Sequence, residues 1–129
     1  ILVNKFGVDT LINTGVAGSL DAQIDIGDMV ISTDALHHDM DATVFGDPAG
    51  QIPRMDTLSF PADEELVKKA VAANEKANPD IHTFTGRVAS GDMAISDKAD
   101  NSATMDYPTF EKKAIAHSVR LMKELLPMI

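Results

Sequence analysis

Asp97 carries the side chain in this sequence that is best suited to acid–base chemistry. It closes the stretch AISD, in which two apolar residues precede two polar ones, as at the carboxyl end of a buried strand. Ligands collect at that end in open α/β sheets, and partial burial raises the pKa of a carboxyl group towards the range of a general acid. The same pattern is equally typical of an aspartate that caps a turn.

A second cluster of candidate ligands lies in the stretch HHDMD, which contains His37, His38, Asp39 and Asp41. Imidazole and carboxylate groups bind many metals. Adjacent histidines on an extended chain point to opposite sides, however, and do not readily share one ion. We therefore interpret the stretch as a polar loop whose side chains bond to the backbone, and we predict neither a metal nor another cofactor.

Two glycines in the stretch NTGVAGSL, residues 13–20, suit a close approach of the backbone to an anion, a water molecule or a flat ring. The stretch lacks the glycine spacing of a dinucleotide-binding fingerprint and the lysine of a P-loop. A plain turn after a strand is the alternative interpretation.

These stretches must be positioned by a common fold, and the order of predicted elements is that of a parallel α/β sheet. A helix ends at Gly7, which suits a left-handed C-cap, and strands are predicted at 10–13, at 29–33 and within 81–92. Between the second and third strands lies a polar loop, 36–57, of a length that is often functional.

Two amphipathic helices should cover the sheet. One occupies 61–78, and the other follows Asp106, a suitable N-cap. We predict that His82 and His117 pack as structural residues. The predicted core-facing residues are Leu66, Val67, Ala70 and Val71 in the first helix and Phe110, Ala114, Ile115, Val119, Leu121, Met122 and Leu125 in the second.

Composition narrows the class of protein. The 129 residues are 44% hydrophobic and 24% charged, as in soluble globular proteins, and include no cysteine. No apolar run is long enough for a membrane span, and the start is not a signal peptide, so we expect a cytoplasmic protein. A net charge of −9 argues against nucleic acid or an anionic membrane as a partner.

The junction at Met93 is difficult to reconcile with a parallel sheet. The stretches SGD, 90–92, and AISD, 94–97, both have the pattern of strand ends, yet Met93 alone separates them. Parallel neighbours need a crossover of about a dozen residues. We therefore expect the natural chain to be longer, with one or two breaks around residues 92–94; a genuine internal deletion is the alternative.

Several stretches, in the same order, resemble the 5′-methylthioadenosine/S-adenosylhomocysteine nucleosidases of bacteria, in the purine nucleoside phosphorylase-like superfamily. They are INTGVAGSLD, IGDMVIST, HHDMDATVFGDPAGQIP, VASGD, and AISDKAD followed by the helix after MDYPTF. The resemblance implies an α/β fold: a single-domain, three-layer α/β/α architecture with a central mixed, partly barrel-like sheet. Residues 1–129 would form one partial nucleosidase domain. The segments that carry the family's catalytic glutamates have no counterpart in this sequence.

The resemblance also implies an activity. The family hydrolyses the N-glycosidic bond of 5′-methylthioadenosine, S-adenosylhomocysteine and 5′-deoxyadenosine and releases adenine, a step of methionine salvage. Asp97 matches the acid that protonates N7 of adenine, and Ser96 matches the residue that orients it.

Further residues match the family's binding positions. Ala17 and Gly18 would lie beside the nucleoside, with Val16 at a position that is serine in many relatives. Asp47 replaces a frequent tyrosine. Ala42 would line the side of the 5′ substituent, and Tyr107, where phenylalanine is common, would cover the ribose or the 5′ side. Phe45 and Pro53 would reach across a homodimer into the neighbouring pocket.

Three other functions are weighed against this one. A purine nucleoside phosphorylase would need an arginine-containing phosphate site, and Arg54, Arg87 and Arg120 lie in no such motif. A non-catalytic nucleoside-binding protein would follow if the internal deletion is real, because the acid would lack its base. A metal-dependent hydrolase built on His37–Asp41 is disfavoured by the strand geometry.

Overall fold

The computed structural model of the protein describes residues 1–91 and 107–129. Within these ranges, three helices, three strands and two short 3-10 turns follow one another. They are α1 (Leu2–Phe6), β1 (Met29–His37), a 3-10 turn (Thr43–Phe45), β2 (Phe60–Pro61), α2 (Glu64–Ala77), β3 (Thr83–Ser90), α3 (Tyr107–Leu125) and a final 3-10 turn (Leu126–Met128).

The sheet is built around β1. Its order is β2-β1-β3, with β1 parallel to β3 and antiparallel to the short β2. A bulge between Ser32 and Asp34 interrupts the parallel register, and the carbonyl of Thr33 accepts a hydrogen bond from Ala62, just after β2, at 2.9 Å. The mixed sheet in a single domain confirms the predicted α/β class. The described strands form an open sheet and do not close into a barrel.

Both long helices form where the amphipathic patterns predict them. The Asp63 side chain caps α2 by accepting the N–H of Leu66 at 2.9 Å, and Glu64 and Glu65 follow in the first turn, where the helix dipole favours acidic residues. α2 packs on β1 and β3, and α3 packs on α2. The core consists of Ala70, Ala73, Leu121 and Leu125, with Met29, Ile31 and Met122 against it.

Asn74 of α2 and Asn78, which caps the end of that helix, are fully buried in this core. The side-chain amide of Asn74 donates to the Thr83 hydroxyl at 2.9 Å. The amide of Asn78 donates to the Asn74 side-chain oxygen at 2.8 Å and to the carbonyl of His117 at 3.1 Å. Because each polar contact needs a defined partner, this chain of hydrogen bonds fixes α2 relative to β3 and α3.

Several details differ from the sequence prediction. Residues 10–13 form no strand, and Leu11 and Ile12 are 62% and 41% exposed. A buried strand needs a neighbour for its backbone groups, and no described strand pairs with this segment. Conversely, β1 continues to His37, because β2 and β3 pair with it on its two sides.

Some of the predicted helix faces and element ends are confirmed, and others are wrong. Gly7 adopts the expected left-handed conformation, with φ 64°, and His117 is buried as predicted. Ile115 and Val119 lie on the exposed side of α3 instead of in the core. His82 precedes β3, and its side chain is largely exposed. None of the helices in residues 1–91 and 107–129 has the length and apolarity needed to cross a bilayer.

Candidate functional site

The carboxyl ends of β1 and β3 lie side by side, because the two strands are parallel. His37 is opposite Ser90 at the end of the register, and the N–H of His38 donates to the Ser90 carbonyl at 2.9 Å, one residue beyond β1. The HHDMD stretch and residues Ser90 and Gly91 therefore meet at one edge of the sheet. In open α/β sheets this is the edge at which ligands bind.

Asp39 and Gly91 are in close contact at this edge. A methyl group on Gly91 would lie 2.5 Å from the carboxyl carbon and from both carboxyl oxygens of Asp39. The Asp39 side chain is 18% exposed, and one of its oxygens is 3.5 Å from Nδ1 of His37. With Asp39 in this position, position 91 has room only for glycine, since the carboxylate occupies the volume of a side chain.

A 3-10 turn follows at once and presents an aromatic ring. Oδ1 of Asp41 accepts the hydroxyl of Thr43 at 2.6 Å and its N–H at 3.0 Å, and these two bonds, the hydroxyl first, hold the pKa of Asp41 below its usual value. The turn ends at Gly46, with φ 92°. Ala42 is buried at its start, whereas the Phe45 side chain at its end is 85% exposed.

The loop then closes back on the end of β1. The N–H of Gly50 donates to the carbonyl of Met40 at 2.8 Å. Gly50 has φ 85°, and a methyl group there would lie 3.2 Å from the His37 carbonyl oxygen and 3.3 Å from the Leu58 side chain. Residues 40–50 therefore form a compact closed loop, of the kind that is frequently functional. Pro53 lies exposed beyond it.

A bidentate ion pair joins β1 and β3 below this edge. Nε of Arg87 lies 3.0 Å from both carboxyl oxygens of Asp34, and Nη2 lies 2.6 Å from one of them. Hydrogen bonds from Arg87, assisted by Ser59, hold the pKa of Asp34 low, and the same pair raises the pKa of Arg87. The guanidinium group is therefore directed at Asp34.

The structure brings together only part of the predicted site. Ala42 and Phe45 lie in the closed loop at the edge of β1 and β3, with Pro53 beyond it. Val16, Ala17 and Gly18 lie in the exposed segment between α1 and β1. Tyr107 is the first residue of α3. Ser96 and Asp97 are outside the described residues, as are the predicted breaks around 92–94 and the N-cap Asp106.

The histidines near the edge do not converge. His37 is half-buried and His38 is exposed, and within the described ranges no three His, Asp or Glu side chains are grouped as a metal would require. The contacts of Asp41 with Thr43 agree with our interpretation of HHDMD as a loop whose side chains bond to the backbone.

Comparison with known families assigns the chain to a wider group of proteins. The sequence model of the phosphorylase superfamily matches residues 1–124. The chain belongs to the phosphorylase superfamily. That membership agrees with the resemblance inferred from the motifs and with the mixed α/β sheet.

Individual relatives within the superfamily carry more specific names. The chain is 43% identical over 95 residues to the 5′-methylthioadenosine/S-adenosylhomocysteine nucleosidase of Staphylococcus haemolyticus, a match that covers 74% of the chain and 40% of the relative. It is 44% identical over 99 residues to the protein of the same name from a Geobacillus species, covering 77% and 42%. The chain thus spans less than half the length of these relatives.

A solved structure of the superfamily gives the same fold. The Neisseria meningitidis 5′-methylthioadenosine/S-adenosylhomocysteine nucleosidase, in complex with methylthio-immucillin-A, superposes with a TM-score of 0.83 and 26% identity. The match covers 99% of this chain and 73% of that one. The similarity therefore extends along the chain, beyond the edge that we describe.

Proposed function

We propose that this protein hydrolyses the N-glycosidic bond of 5′-methylthioadenosine and S-adenosylhomocysteine, and of 5′-deoxyadenosine, with release of adenine. The observation that carries the proposal is the 43% and 44% identity to two relatives named as 5′-methylthioadenosine/S-adenosylhomocysteine nucleosidases. The structural match to a nucleosidase that binds methylthio-immucillin-A supports it. Methionine salvage and a cytoplasmic location belong to the same proposal.

In this proposal the reaction begins with protonation of the base. Adenine leaves the ribose more readily once N7 carries a proton, and Asp97 donates that proton as a general acid, with Ser96 orienting it. The support is the AISD stretch, which matches the family's acid position. A partly desolvated pocket is what keeps such a carboxyl group protonated near neutral pH. Water then attacks the anomeric carbon as adenine leaves, and its proton passes to a general base, which in the family is a glutamate with no counterpart in this sequence.

We place the substrate at the carboxyl edge of β1 and β3. Ala42 lines the side of the 5′ substituent, and Tyr107 covers the ribose or the 5′ side. The backbone of residues 16–18 lies along the nucleoside. Apolar walls of this kind suit a thioether. The geometry that supports the placement is the closed loop 40–50, which holds Ala42 at the strand end at which ligands of such sheets collect.

We also propose a symmetric homodimer in which Phe45 and Pro53 complete the pocket of the neighbouring subunit. The ring of Phe45 is 85% exposed at the tip of a turn that Asp41 and Gly46 hold in place. A large aromatic side chain in that position is typical of a contact with a partner. Light scattering at assay concentrations should give the mass of a dimer; an active monomer would contradict the assembly.

A hydrolase is favoured over a phosphorylase by the engagement of Arg87. Its guanidinium forms a bidentate pair with Asp34, so it is not offered to phosphate. The test is chromatography of the products of 5′-methylthioadenosine with the full-length protein, with and without inorganic phosphate. We expect adenine and the free 5-methylthioribose at the same rate in both. A rate that rises with phosphate, with a sugar 1-phosphate as product, would assign a phosphorylase. If no adenine is released with or without phosphate, the protein would instead be a non-catalytic nucleoside-binding protein.

A further inference from the structure

We propose that Asp39 is a positioning residue for the substrate site: its carboxylate, seated against Gly91, sets the position of the loop that carries Ala42 and Phe45. The inference is argued from the contacts at the carboxyl edge, and it rests on the proposed function because its test measures nucleosidase activity. It concerns the HHDMD stretch, whose residues the proposed chemistry does not use.

Three contacts restrain the chain within a few residues of Asp39. On its amino side, the N–H of His38 donates to the carbonyl of Ser90 at 2.9 Å. At Asp39 itself, the carboxyl group fills the space beside the α-carbon of Gly91. On its carboxyl side, the carbonyl of Met40 accepts the N–H of Gly50 at 2.8 Å and closes the loop. Asp39 is thus the point at which the end of β3 and the start of the closed loop touch through a side chain.

The carboxyl group of Asp39 occupies the space that a side chain at position 91 would need. The virtual methyl group of Gly91 would be 2.5 Å from three atoms of the Asp39 carboxyl group, so no larger residue at 91 is compatible with this position of Asp39. A displacement of Asp39 would move Asp41, two residues on, whose bonds to Thr43 begin the turn that ends in Phe45. A misplacement of about 1 Å in a binding site can cost up to about 100-fold in rate.

A partly buried carboxylate at this place also needs compensation for its lost water. The side chain of Asp39 is only 18% exposed, and Nδ1 of His37 lies 3.5 Å from one oxygen. Asp39→Ala would remove the carboxyl group that fills the space beside Gly91. An asparagine would keep its shape and one acceptor oxygen. The two substitutions therefore separate a filling role from a charged one.

The experiment is a double-substitution cycle in the full-length protein with Asp39→Ala, Gly91→Ala and the combination of the two. Gly86→Ala is the matched control, because Gly86 lies in β3, the strand that Gly91 follows, and a methyl group there meets nothing within 4 Å. The measurements are kcat and KM for 5′-methylthioadenosine, the inhibition constant of free adenine, and the thermal midpoint.

We expect Gly91→Ala to raise KM by about 10- to 100-fold with a smaller change in kcat. The inhibition constant of adenine, which has no 5′ substituent, should change least. In the Asp39→Ala background, Gly91→Ala should raise KM much less, because the overlapping carboxylate is gone. Asp39→Asn should recover most of what Asp39→Ala loses, and Gly86→Ala should behave as the wild type.

Equal effects of Gly91→Ala in both backgrounds would overturn the proposal, as would a loss of stability with KM unchanged. If Gly91→Ala does not fold, the comparison of Asp39→Ala with Asp39→Asn decides: equal KM values for these two and the wild type would reject a positioning role. A wild-type protein that releases no adenine would reject the proposed function instead, and the thermal midpoints of the cycle would still report the contact.

Discussion

The packing of α2 against α3 and the closed loop at the carboxyl edge are stabilised by different kinds of contact. The helix pair buries small and branched apolar side chains around two asparagines whose hydrogen bonds reach β3 and α3. The loop buries only Ala42 in its own span and is held by side-chain bonds to nearby backbone and by glycines at positive φ.

This difference indicates which substitutions each region tolerates. In the core, a change is transmitted to elements distant in sequence, because the partners of Asn74 and Asn78 belong to three different elements. In the loop, most contacts span few residues, and a change should alter the position of the loop more than the stability of the fold. Of four further substitutions, Asn74→Ala and Phe45→Ala probe this contrast directly. All four follow in order from the largest expected effect to the smallest.

The largest effect is expected where the proposed chemistry occurs. Asp97→Asn keeps the shape of the side chain and removes the acid, so kcat for adenine release should fall by about 10²–10⁴-fold, the usual contribution of general acid catalysis. Substrate should still bind. Asp100→Asn, in the same stretch, is the control. Near-normal turnover of Asp97→Asn would make Asp97 a structural cap.

A substitution in the core should lower the stability of the fold. Asn74→Ala removes one of the two acceptors of the Asn78 amide and the donor to Thr83, and a buried polar group that loses its partner costs about 1–3 kcal/mol. We expect a clearly lower free energy of unfolding in denaturant titration, with KM little changed. Glu75→Ala, on the exposed side of α2, is the control. A stability equal to that of the wild type would show that the buried chain of hydrogen bonds is dispensable.

The loop should show the reverse behaviour. Phe45→Ala removes an exposed ring, so unfolding should hardly change, whereas KM for 5′-methylthioadenosine should rise about tenfold, or ~1.4 kcal/mol. Val44→Ala is the matched control, because Val44 is a neighbour with 88% exposure. A similar KM for the two variants and the wild type would argue against a role of Phe45 in a partner's pocket.

The smallest effect concerns the ion pair between the strands. Because Arg87 holds the pKa of Asp34 below its usual value of 3.8, the pair stabilises the fold fully above that value and loses its contribution as the pH falls through the lowered pKa. The thermal midpoint should therefore fall more steeply below about pH 4 in the wild type than in Asp34→Asn. Asp56→Asn, at an exposed position, is the control, and equal acid slopes in all three would contradict the assignment.

Sequence patterns predicted the helices and strands whose ends are set by neighbouring residues. α2 begins after Asp63 because that side chain caps it, and α1 ends at Gly7 because glycine accepts a positive φ. β1 begins at Met29, as predicted, and the candidate loop was recognised from its length and glycines. The acid, Asp97, and the break near Met93 stay predictions.

Other features depend on partners distant in sequence, which no local pattern contains. The segment 10–13 has the composition of a strand but no described strand beside it, whereas β1 is extended to His37 by its pairing with β2 and β3. The bulge after Ser32, the buried Asn74 and the contact of Asp39 with Gly91 follow in the same way from tertiary pairing.

The sequence by itself therefore determined the class of the fold, the two long helices and the stretches that resemble a nucleosidase. Only the tertiary structure decided which of those stretches meet. Asp39 and Gly91 are adjacent because two parallel strands end at the same level, a relation set by hydrogen-bond register and not by spacing along the chain.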